Sequence, residues 1–222
     1  MGKEQSKAIT RSKEREPLSS LVLYRALKWA IVQPILSSYF RCHVTGLENV
    51  PQKGGFIAVS NHASNFDPPI LAATVCRPIA FMAKEELFRV PILKQIMLTY
   101  GAYPVRRGAS DRSAIRAALA SLEAGWGVGI FLQGTRTKDG RITSPKSGAA
   151  LIAAKAQVPL VPISLIGTEG ILKESSLFPR PAAITVRIGE AIAPPSTVAK
   201  PALTTTTEVC AERINELHTK GR

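Results

Sequence analysis

The chain has 222 residues, of which 45% are hydrophobic and 20% are charged, and its formal net charge at pH 7 is +13. This length and composition fit one globular domain with a sizeable core, and the excess positive charge favours a polyanionic partner such as nucleic acid, an anionic membrane surface or a phosphorylated substrate. Nucleic acid is not expected as a partner, because only 6% of residues are aromatic and the sequence has no zinc-finger spacing, RNA-recognition signature or basic zipper.

The first 41 residues differ in composition from the rest of the chain. Residues 1–16 are polar and charged, which predicts a disordered basic tail. Residues 17–41 are rich in apolar side chains and have about the length of a membrane span. Arg25 and Lys28, however, would each cost about 2.5 to 3.5 kcal/mol at a bilayer centre. We therefore expect an interfacial helix kinked at Pro34, or a pair of helices, on the cytoplasmic face of an anionic membrane. A helix packed on the protein's own core is the alternative.

Residues 42–222 form the predicted domain, and its three cysteines carry no metal or disulfide signal. Cys42, Cys76 and Cys210 lie far apart, include no Cys-x-x-Cys and are odd in number. They are predicted to be core thiols in a reducing compartment, with no disulfide framework and no metal site.

A histidine and an aspartate flank the predicted junction of a strand and a helix. The apolar run 55–59 predicts a buried strand, and Asp67 followed by Pro68 predicts the start of a helix over 68–76. The turn between them can place the Asp67 carboxylate on one nitrogen of His62, which leaves the other nitrogen free to accept a proton as a general base. A helix cap at Asp67 and a hydrogen-bonded turn at His62 would explain the same residues without catalysis.

Strands and helices alternate along the rest of the chain, which predicts an α/β domain with a mixed central sheet flanked by helices. The predicted strands are 79–83, 102–105, 128–132, 158–166 and a half-exposed strand at 184–188. The predicted helices are 92–100, one that Ser110 caps and Gly125 ends, 147–157 and 208–220. Residues 193–207 are predicted to be a linker, and the last helix is expected to dock through Val209, Ala211, Ile214 and Leu217.

Two predicted strands run into arginines. Only one of Arg106 and Arg107 is expected to face a pocket, because successive strand residues point to opposite sides. The second strand leads into Gln133, Gly134, Thr135 and Arg136, and Lys146 precedes the next helix. A strand, a turn with exposed amides and a helix N-terminus together predict an anion site.

Four blocks of sequence, read in order, resemble those of the glycerolipid acyltransferases. Residues 61–67 are similar to the H-x-x-x-x-D signature, residues 101–107 to an arginine-bearing second block, residues 131–136 to a third block usually written F-P-E-G-T-R, and residues 158–163 to a proline-containing fourth. In size and spacing the chain is most similar to the 1-acyl-glycerol-3-phosphate acyltransferases.

The resemblance implies that an acyl group moves from a thioester, acyl-CoA or acyl carrier protein, to the free hydroxyl of lysophosphatidate at the membrane, without any other cofactor. His62 would be the general base oriented by Asp67. Arg107 and Arg136 would bind the phosphate, with Lys146 as a weaker candidate and Gln133, Gly134 and Thr135 in the binding turn. A Ser64 nucleophile is not expected, because no G-x-S-x-G turn is present and a local bond from its hydroxyl to the backbone is favoured.

The sequence departs from the family pattern at Leu132 and Gln133, where Pro and Glu are usual, and at Arg106, which adds positive charge to the rim. Gln133 leaves the identity of the substrate that accepts the acyl group in doubt, so another lysolipid or a glycerol phosphate is an alternative to lysophosphatidate. From a different class, the positive charge would also suit a non-catalytic module that binds anionic lipid or nucleic acid.

Overall fold

In the described part of the chain, seven strands form one mixed sheet at the centre of the fold. The computed structural model describes residues 34–84, 103–105, 112–172 and 179–221. The strands are β1 (His43–Thr45), β2 (Phe56–Ser60), β3 (Ile79–Lys84), β4 (Tyr103–Val105), β5 (Gly127–Phe131), β6 (Leu160–Ile166) and β7 (Thr185–Ile188). Their order is β1-β7-β6-β2-β5-β3-β4. The five strands β2, β3, β4, β5 and β6 run parallel to one another, whereas β7 is antiparallel to β6 and β1 is parallel to β7. The predicted α/β class and mixed sheet are therefore confirmed.

Among the described residues, four helices cover the two faces of this sheet. They are α1 (Asp67–Thr74), α2 (Arg112–Glu123), α3 (Gly148–Ala156) and α4 (Lys200–Thr219). The side chains of α1 pack in one hydrophobic cluster with one face of the sheet, and those of α2, α3 and α4 pack in a second cluster with the other face. Short helical turns at Ile35–Tyr39, Leu47–Asn49 and Thr168–Gly170 complete the described structure.

Strand β2 is the centre of the sheet, between β5 and β6, and all five of its residues are buried. Phe56 and Ala58 belong to the α1 side of the core, whereas Ile57 and Val59 belong to the side of the other helices. A parallel strand that is covered on both faces needs this continuous apolar sequence. The run 55–59 therefore predicted its position correctly, and the residues that follow β2 emerge at a rigid edge of the sheet.

The prediction was wrong at two places near the C-terminus. Helix α4 begins at Lys200, so residues 200–207 form its first turns and not a linker. Pro201 is tolerated in the first turn of a helix, and Leu203 packs on Ala150 and Ala154 of α3. The predicted contact residue Val209 is exposed, while Cys210 beside it is buried.

Strand β7 was expected to be half-exposed, but Thr185, Val186 and Ile188 are buried and Arg187 is partly buried. The strand lies inside the sheet, between β1 and β6. The Arg187 guanidinium donates hydrogen bonds to the carbonyl of Gly221, just beyond α4, at 3.1 and 3.2 Å. Apolar and polar residues do alternate along β7, but this pattern could not show that α4 and the residues after it cover the polar face of the strand.

Of the three predicted core thiols, only Cys210 is fully buried, whereas Cys42 is partly buried and Cys76 is exposed. Burial raises the pKa of Cys210 to about 12 and that of Cys42 to about 11. All three cysteines are free. The expectation of core thiols is therefore wrong for Cys76.

The end of the predicted interfacial segment contributes to the core. Leu36 and Phe40 are buried in the α1-side cluster, whereas Ile35 and Tyr39 are exposed. Residues 1–33, with the predicted tail and most of the interfacial helix, lie outside the described residues, as do the predicted helix 92–100 and the Ser110 cap. Within the described ranges, no helix is long and apolar enough to cross a membrane.

Candidate active site

His62 and Asp67 lie in the turn between β2 and α1, and they are in contact as predicted. The Nδ1 atom of His62 is 2.7 Å from Oδ2 of Asp67. The same oxygen accepts hydrogen bonds from the backbone amides of Ala63 and Ser64, both at 2.7 Å. An ionised carboxylate only accepts hydrogen bonds, so a hydrogen bond between an ionised Asp67 and His62 requires the proton on Nδ1.

Asp67 was predicted to cap α1, and here the structure differs. It is the first residue of the helix, and its side chain bonds backward to residues 62–64 instead of forward to the helical amides. The carboxylate is fully buried, and no described donor reaches its second oxygen, Oδ1. Both the helix-cap alternative and the predicted N-cap are therefore wrong: this carboxylate fixes the turn that carries the histidine.

The imidazole of His62 is held on its face by an aromatic ring. Phe131, the last residue of β5, stacks on it with the ring centroids 4.0 Å apart and the planes 16° from parallel. Phe81 of β3 stacks in turn on Phe131 at 6.2 Å. The side chain of His62 remains 18% exposed. The ring is therefore fixed by Asp67 and Phe131, while Nε2 has no hydrogen-bond partner among the described residues.

Asn61, the residue before His62, is bonded to β6, the neighbour of β2 on the side opposite to β5. Its buried side chain accepts a hydrogen bond from the amide of Leu165 in β6 and donates one to the carbonyl of the same residue, both at 2.8 Å. This pairing continues the β2–β6 ladder by one residue. As a result, the histidine that follows is joined to both β5 and β6.

The predicted anion-binding turn lies beside the histidine. Because β2 and β5 are parallel neighbours, with Ser60 opposite Phe131, the segments that follow them emerge at the same edge of the sheet. The amide of Thr137 donates a hydrogen bond to the carbonyl of His62 at 2.8 Å. Arg136, which precedes Thr137, is exposed, and so are Gly134 and Thr135. The structure therefore brings the Arg136 turn and His62 together.

Gln133 and Lys146 lie in this region but differ in what their groups contact. The Gln133 side-chain oxygen accepts hydrogen bonds from the amides of Thr143 at 2.8 Å and Ser144 at 3.4 Å. The Gln133 amide oxygen therefore accepts hydrogen bonds within its own loop. Lys146 donates its backbone amide to the carbonyl of Leu132 at 2.8 Å, and its side chain is exposed.

Two other predictions concern Ser64 and the second arginine block. The Ser64 hydroxyl accepts a hydrogen bond from the amide of Phe66 at 3.3 Å, so the expected local bond to the backbone is confirmed. Arg106 and Arg107 lie outside the described residues. In the part of the chain that the structure describes, no group of three or more His, Cys, Asp or Glu side chains could hold a metal ion.

A family model described as Acyltransferase matches residues 41–166, which is more than half of the chain. The chain belongs to the acyltransferase family. The matched residues include β1 to β6, His62, Asp67 and Arg136, but α4 lies outside them.

Individual relatives within this family share about one third of their aligned residues with the chain. The 1-acyl-sn-glycerol-3-phosphate acyltransferase of Borreliella burgdorferi is 33% identical over 138 residues, which are 61% of this chain and 55% of that protein. The chloroplastic enzyme LPAT1 of Arabidopsis thaliana is 34% identical over 151 residues, which are 67% of this chain and 42% of that protein. The chain thus spans about half the length of these relatives.

A solved structure shares most of the fold. The crystal structure of PlsC, the 1-acyl-sn-glycerophosphate (LPA) acyltransferase from Thermotoga maritima, superposes with a TM-score of 0.75 and 26% sequence identity. The match covers 97% of this chain and 88% of that one. The acyltransferase fold therefore extends beyond the residues that the family model matches.

Sequence reasoning missed the residues that support the histidine. Phe131 and Asn61 stand inside the acyltransferase blocks, but no sequence signal distinguishes a residue that stacks on an imidazole from one that fills the core. Asn215 and His218 of α4 contact the loop after Arg136, and they lie in a helix that showed only a docking pattern. Neighbouring strand ends could have suggested Phe131, whereas the α4 contacts depend on the tertiary fold.

The burial of Asp67 predicts a structural cost for its removal. In Asp67→Ala, the amides of Ala63 and Ser64 lose their acceptor, so we expect the free energy of unfolding to fall by about 3 kcal/mol, as for hydrogen bonds to a buried charged group. Asp67→Asn should lose less, because an amide oxygen can still accept both bonds. Urea unfolding measures this, with Asp139→Ala as the control, since among the described residues that exposed carboxylate accepts a hydrogen bond only from the Arg141 amide. An equal loss in both alanine variants would contradict the assignment.

Proposed function

We propose that the protein is a 1-acyl-glycerol-3-phosphate O-acyltransferase, which transfers an acyl group from a thioester to lysophosphatidate and forms phosphatidate. The observation that carries the proposal is the position of His62: its ring is bonded to Asp67 at 2.7 Å and its backbone carbonyl is bonded to the turn that holds Arg136. A proton acceptor and an arginine turn at one edge suit an alcohol that carries a phosphate.

The reaction needs only one base from the protein. Nε2 of His62 takes the proton of the acceptor hydroxyl as its oxygen attacks the thioester carbonyl, so that a C–O bond forms. The C–S bond then breaks, and the thiolate leaves and takes up a proton. Asp67 is a positioning residue for this step, because its charge holds the Nδ1 proton and stabilises the imidazolium that forms. No covalent acyl-enzyme is required, since a thiolate is a good leaving group.

The phosphate would bind at the turn after β5. Arg136 offers a planar guanidinium suited to bidentate bonds with phosphate. Among the described groups, no acceptor is bonded to the backbone amides of Thr135 and Arg136. Arg107 and Lys146 are further ligands on the basis of their places in the second block and before α3. Binding the phosphate away from the reacting hydroxyl would hold the acceptor in register with His62.

The acyl donor would be acyl-CoA or acyl carrier protein, and the site would work at a membrane surface. Lysophosphatidate is an amphiphile, and the net charge of +13 favours an anionic bilayer. Ile35 and Tyr39, at the end of the predicted interfacial segment, expose large apolar groups. We propose peripheral or monotopic attachment at the cytoplasmic face.

The alternative acceptors were suggested by Gln133, which stands where the family usually has glutamate. Its oxygen is bonded to the Thr143 and Ser144 amides within the same loop, a role that either an amide or a carboxylate oxygen can perform. This substitution therefore gives no specific support to another lysolipid or to glycerol phosphate.

Replacing the histidine tests the base directly. We expect His62→Ala to lower kcat by about 10² to 10⁴ with little change in the KM for lysophosphatidate, because proton transfer matters only in the transition state. The measurement is thioester consumption by purified protein with acyl-CoA and with acyl carrier protein as donors. The control is His43→Ala, since His43 is an exposed residue of β1. Wild-type turnover no higher than that of His62→Ala, with every donor, would refute the proposal.

Replacing the arginine tests the phosphate site. In Arg136→Ala, kcat/KM for lysophosphatidate should fall by about 10- to 100-fold, the loss of a charge-assisted hydrogen bond, whereas kcat/KM for a monoacylglycerol without phosphate should be nearly unchanged. Arg116→Ala, which removes an exposed arginine of α2, is the matched control. An equal loss with both acceptors would show that Arg136 does not recognise the phosphate.

A further inference from the structure

Residues 133–146, here called the arginine loop, connect β5 to α3, and the structure holds this loop at several points. Near its start, the Thr137 amide is bonded to the His62 carbonyl at 2.8 Å. Gln133 bonds across the loop to the amides of Thr143 and Ser144, and at the end the Lys146 amide bonds to the Leu132 carbonyl. The middle of the loop is held by a different part of the molecule, α4.

Asn215 of α4 makes two hydrogen bonds to a single residue of the arginine loop. Its side-chain oxygen accepts from the Ile142 amide at 3.0 Å, and its side-chain nitrogen donates to the Ile142 carbonyl at 2.9 Å. The Ile142 side chain is buried in the same cluster as Ile214 of α4. Asn215 therefore satisfies both backbone groups of Ile142, as a neighbouring strand would.

A second contact leaves little space between α4 and the loop. Gly140 has a φ of +67°, and a Cβ added there would lie 2.8 Å from Cε1 of His218 and 3.1 Å from Nδ2 of Asn61. His218 is itself joined to the Ser164 hydroxyl of β6 at 3.2 Å. The loop thus packs between the C-terminal half of α4 and the residue that precedes the histidine of the site.

From these contacts we infer that Asn215 is a positioning residue for substrate binding: it holds the arginine loop in the conformation in which the Arg136 turn binds a phosphate. The inference rests on the proposed function and goes beyond it. Asn215 lies in α4, outside residues 41–166, which the acyltransferase model matches. The inference therefore gives a helix outside that region a part in phosphate binding.

The physical reason is the entropy of the loop. A loop that is already fixed before binding loses less conformational freedom when the ligand arrives, and this lowers the free-energy cost of association. In the middle of the arginine loop, the Arg141 backbone is bonded to Thr137 and Asp139 of the loop itself. Both backbone groups of the next residue, Ile142, are bonded to Asn215, and these bonds join the middle of the loop to α4. Loss of Asn215 should therefore loosen the middle of the loop and, through it, the Arg136 turn.

A binding experiment without a thioester donor tests this inference. The probe is a short-chain 1-acyl-glycerol 3-phosphate below its micelle concentration, titrated by calorimetry into wild type, Asn215→Ala, Arg136→Ala and the double variant. We expect Asn215→Ala to raise the Kd about 3- to 10-fold, the factor that corresponds to about one net hydrogen bond. In the Arg136→Ala background the same change should raise the Kd less than about twofold, because residues that act through one another are not additive.

Two further variants separate positioning from general destabilisation. Asn215→Asp keeps the acceptor for the Ile142 amide but cannot donate to its carbonyl, so its Kd should fall between those of wild type and Asn215→Ala. Glu212→Ala, an exposed change on the same helix, should leave the Kd unchanged. Hydrogen exchange should become faster in peptides covering 133–146 in Asn215→Ala and remain unchanged in Glu212→Ala.

An Asn215→Ala variant with an unchanged Kd, or with the same factor in both backgrounds, would overturn the inference. Turnover is measured on the same proteins, so the two claims fail separately. Wild type that binds the probe but consumes no thioester defeats the proposed function, while the comparison of Kd values still decides the role of Asn215. If the wild type consumes thioester but the effects of Asn215→Ala and Arg136→Ala on the Kd are additive, the inference about Asn215 fails and the proposed function stands.

Discussion

The turn that carries His62 depends on one carboxylate oxygen, Oδ2 of Asp67, which accepts three hydrogen bonds at 2.7 Å from the His62 ring and from the amides of Ala63 and Ser64. A fully buried carboxylate is costly unless such donors compensate the loss of hydration. The same bonds therefore stabilise the charge, close the turn and orient the imidazole. Without this oxygen, His62 would keep its place in the sequence but not a defined direction for its free nitrogen.

The parallel sheet brings the remaining groups to that nitrogen. Since β2, β5 and β6 run in the same direction, the segments after β2 and β5 emerge at one edge, where Phe131 stacks on His62 and the arginine loop bonds to the His62 carbonyl. Asn61 extends the pairing to β6, and α4 supports the loop from the far side. The site is therefore assembled from segments distant in sequence, and its geometry depends on strand register as well as on the local bonds of Asp67.

How far the sequence could predict this arrangement depended on the range of each interaction. The contact between His62 and Asp67 is local, five residues apart, and it follows from a strand, a turn and a helix that the apolar pattern and Pro68 indicate. The proximity of Arg136 followed from the resemblance to the acyltransferases. The roles of Phe131, Asn61 and Asn215 depend on which strands are neighbours and on where α4 docks, and periodicity contains neither fact. Likewise, the four threonines before Glu208 resemble a linker in composition, yet packing on α3 makes that stretch helical.

The central claim is that Asp67 keeps the proton of the neutral His62 ring on Nδ1 and leaves Nε2 unprotonated towards the substrate. Nitrogen-15 NMR of histidine-labelled protein, with His62 assigned by its loss in His62→Ala, measures this tautomer at a pH where the ring is neutral. The account predicts a pyrrole-like shift for Nδ1 and a pyridine-like shift for Nε2, with mixing of the two forms in Asp67→Ala. A neutral ring protonated on Nε2 in the wild-type protein would contradict it.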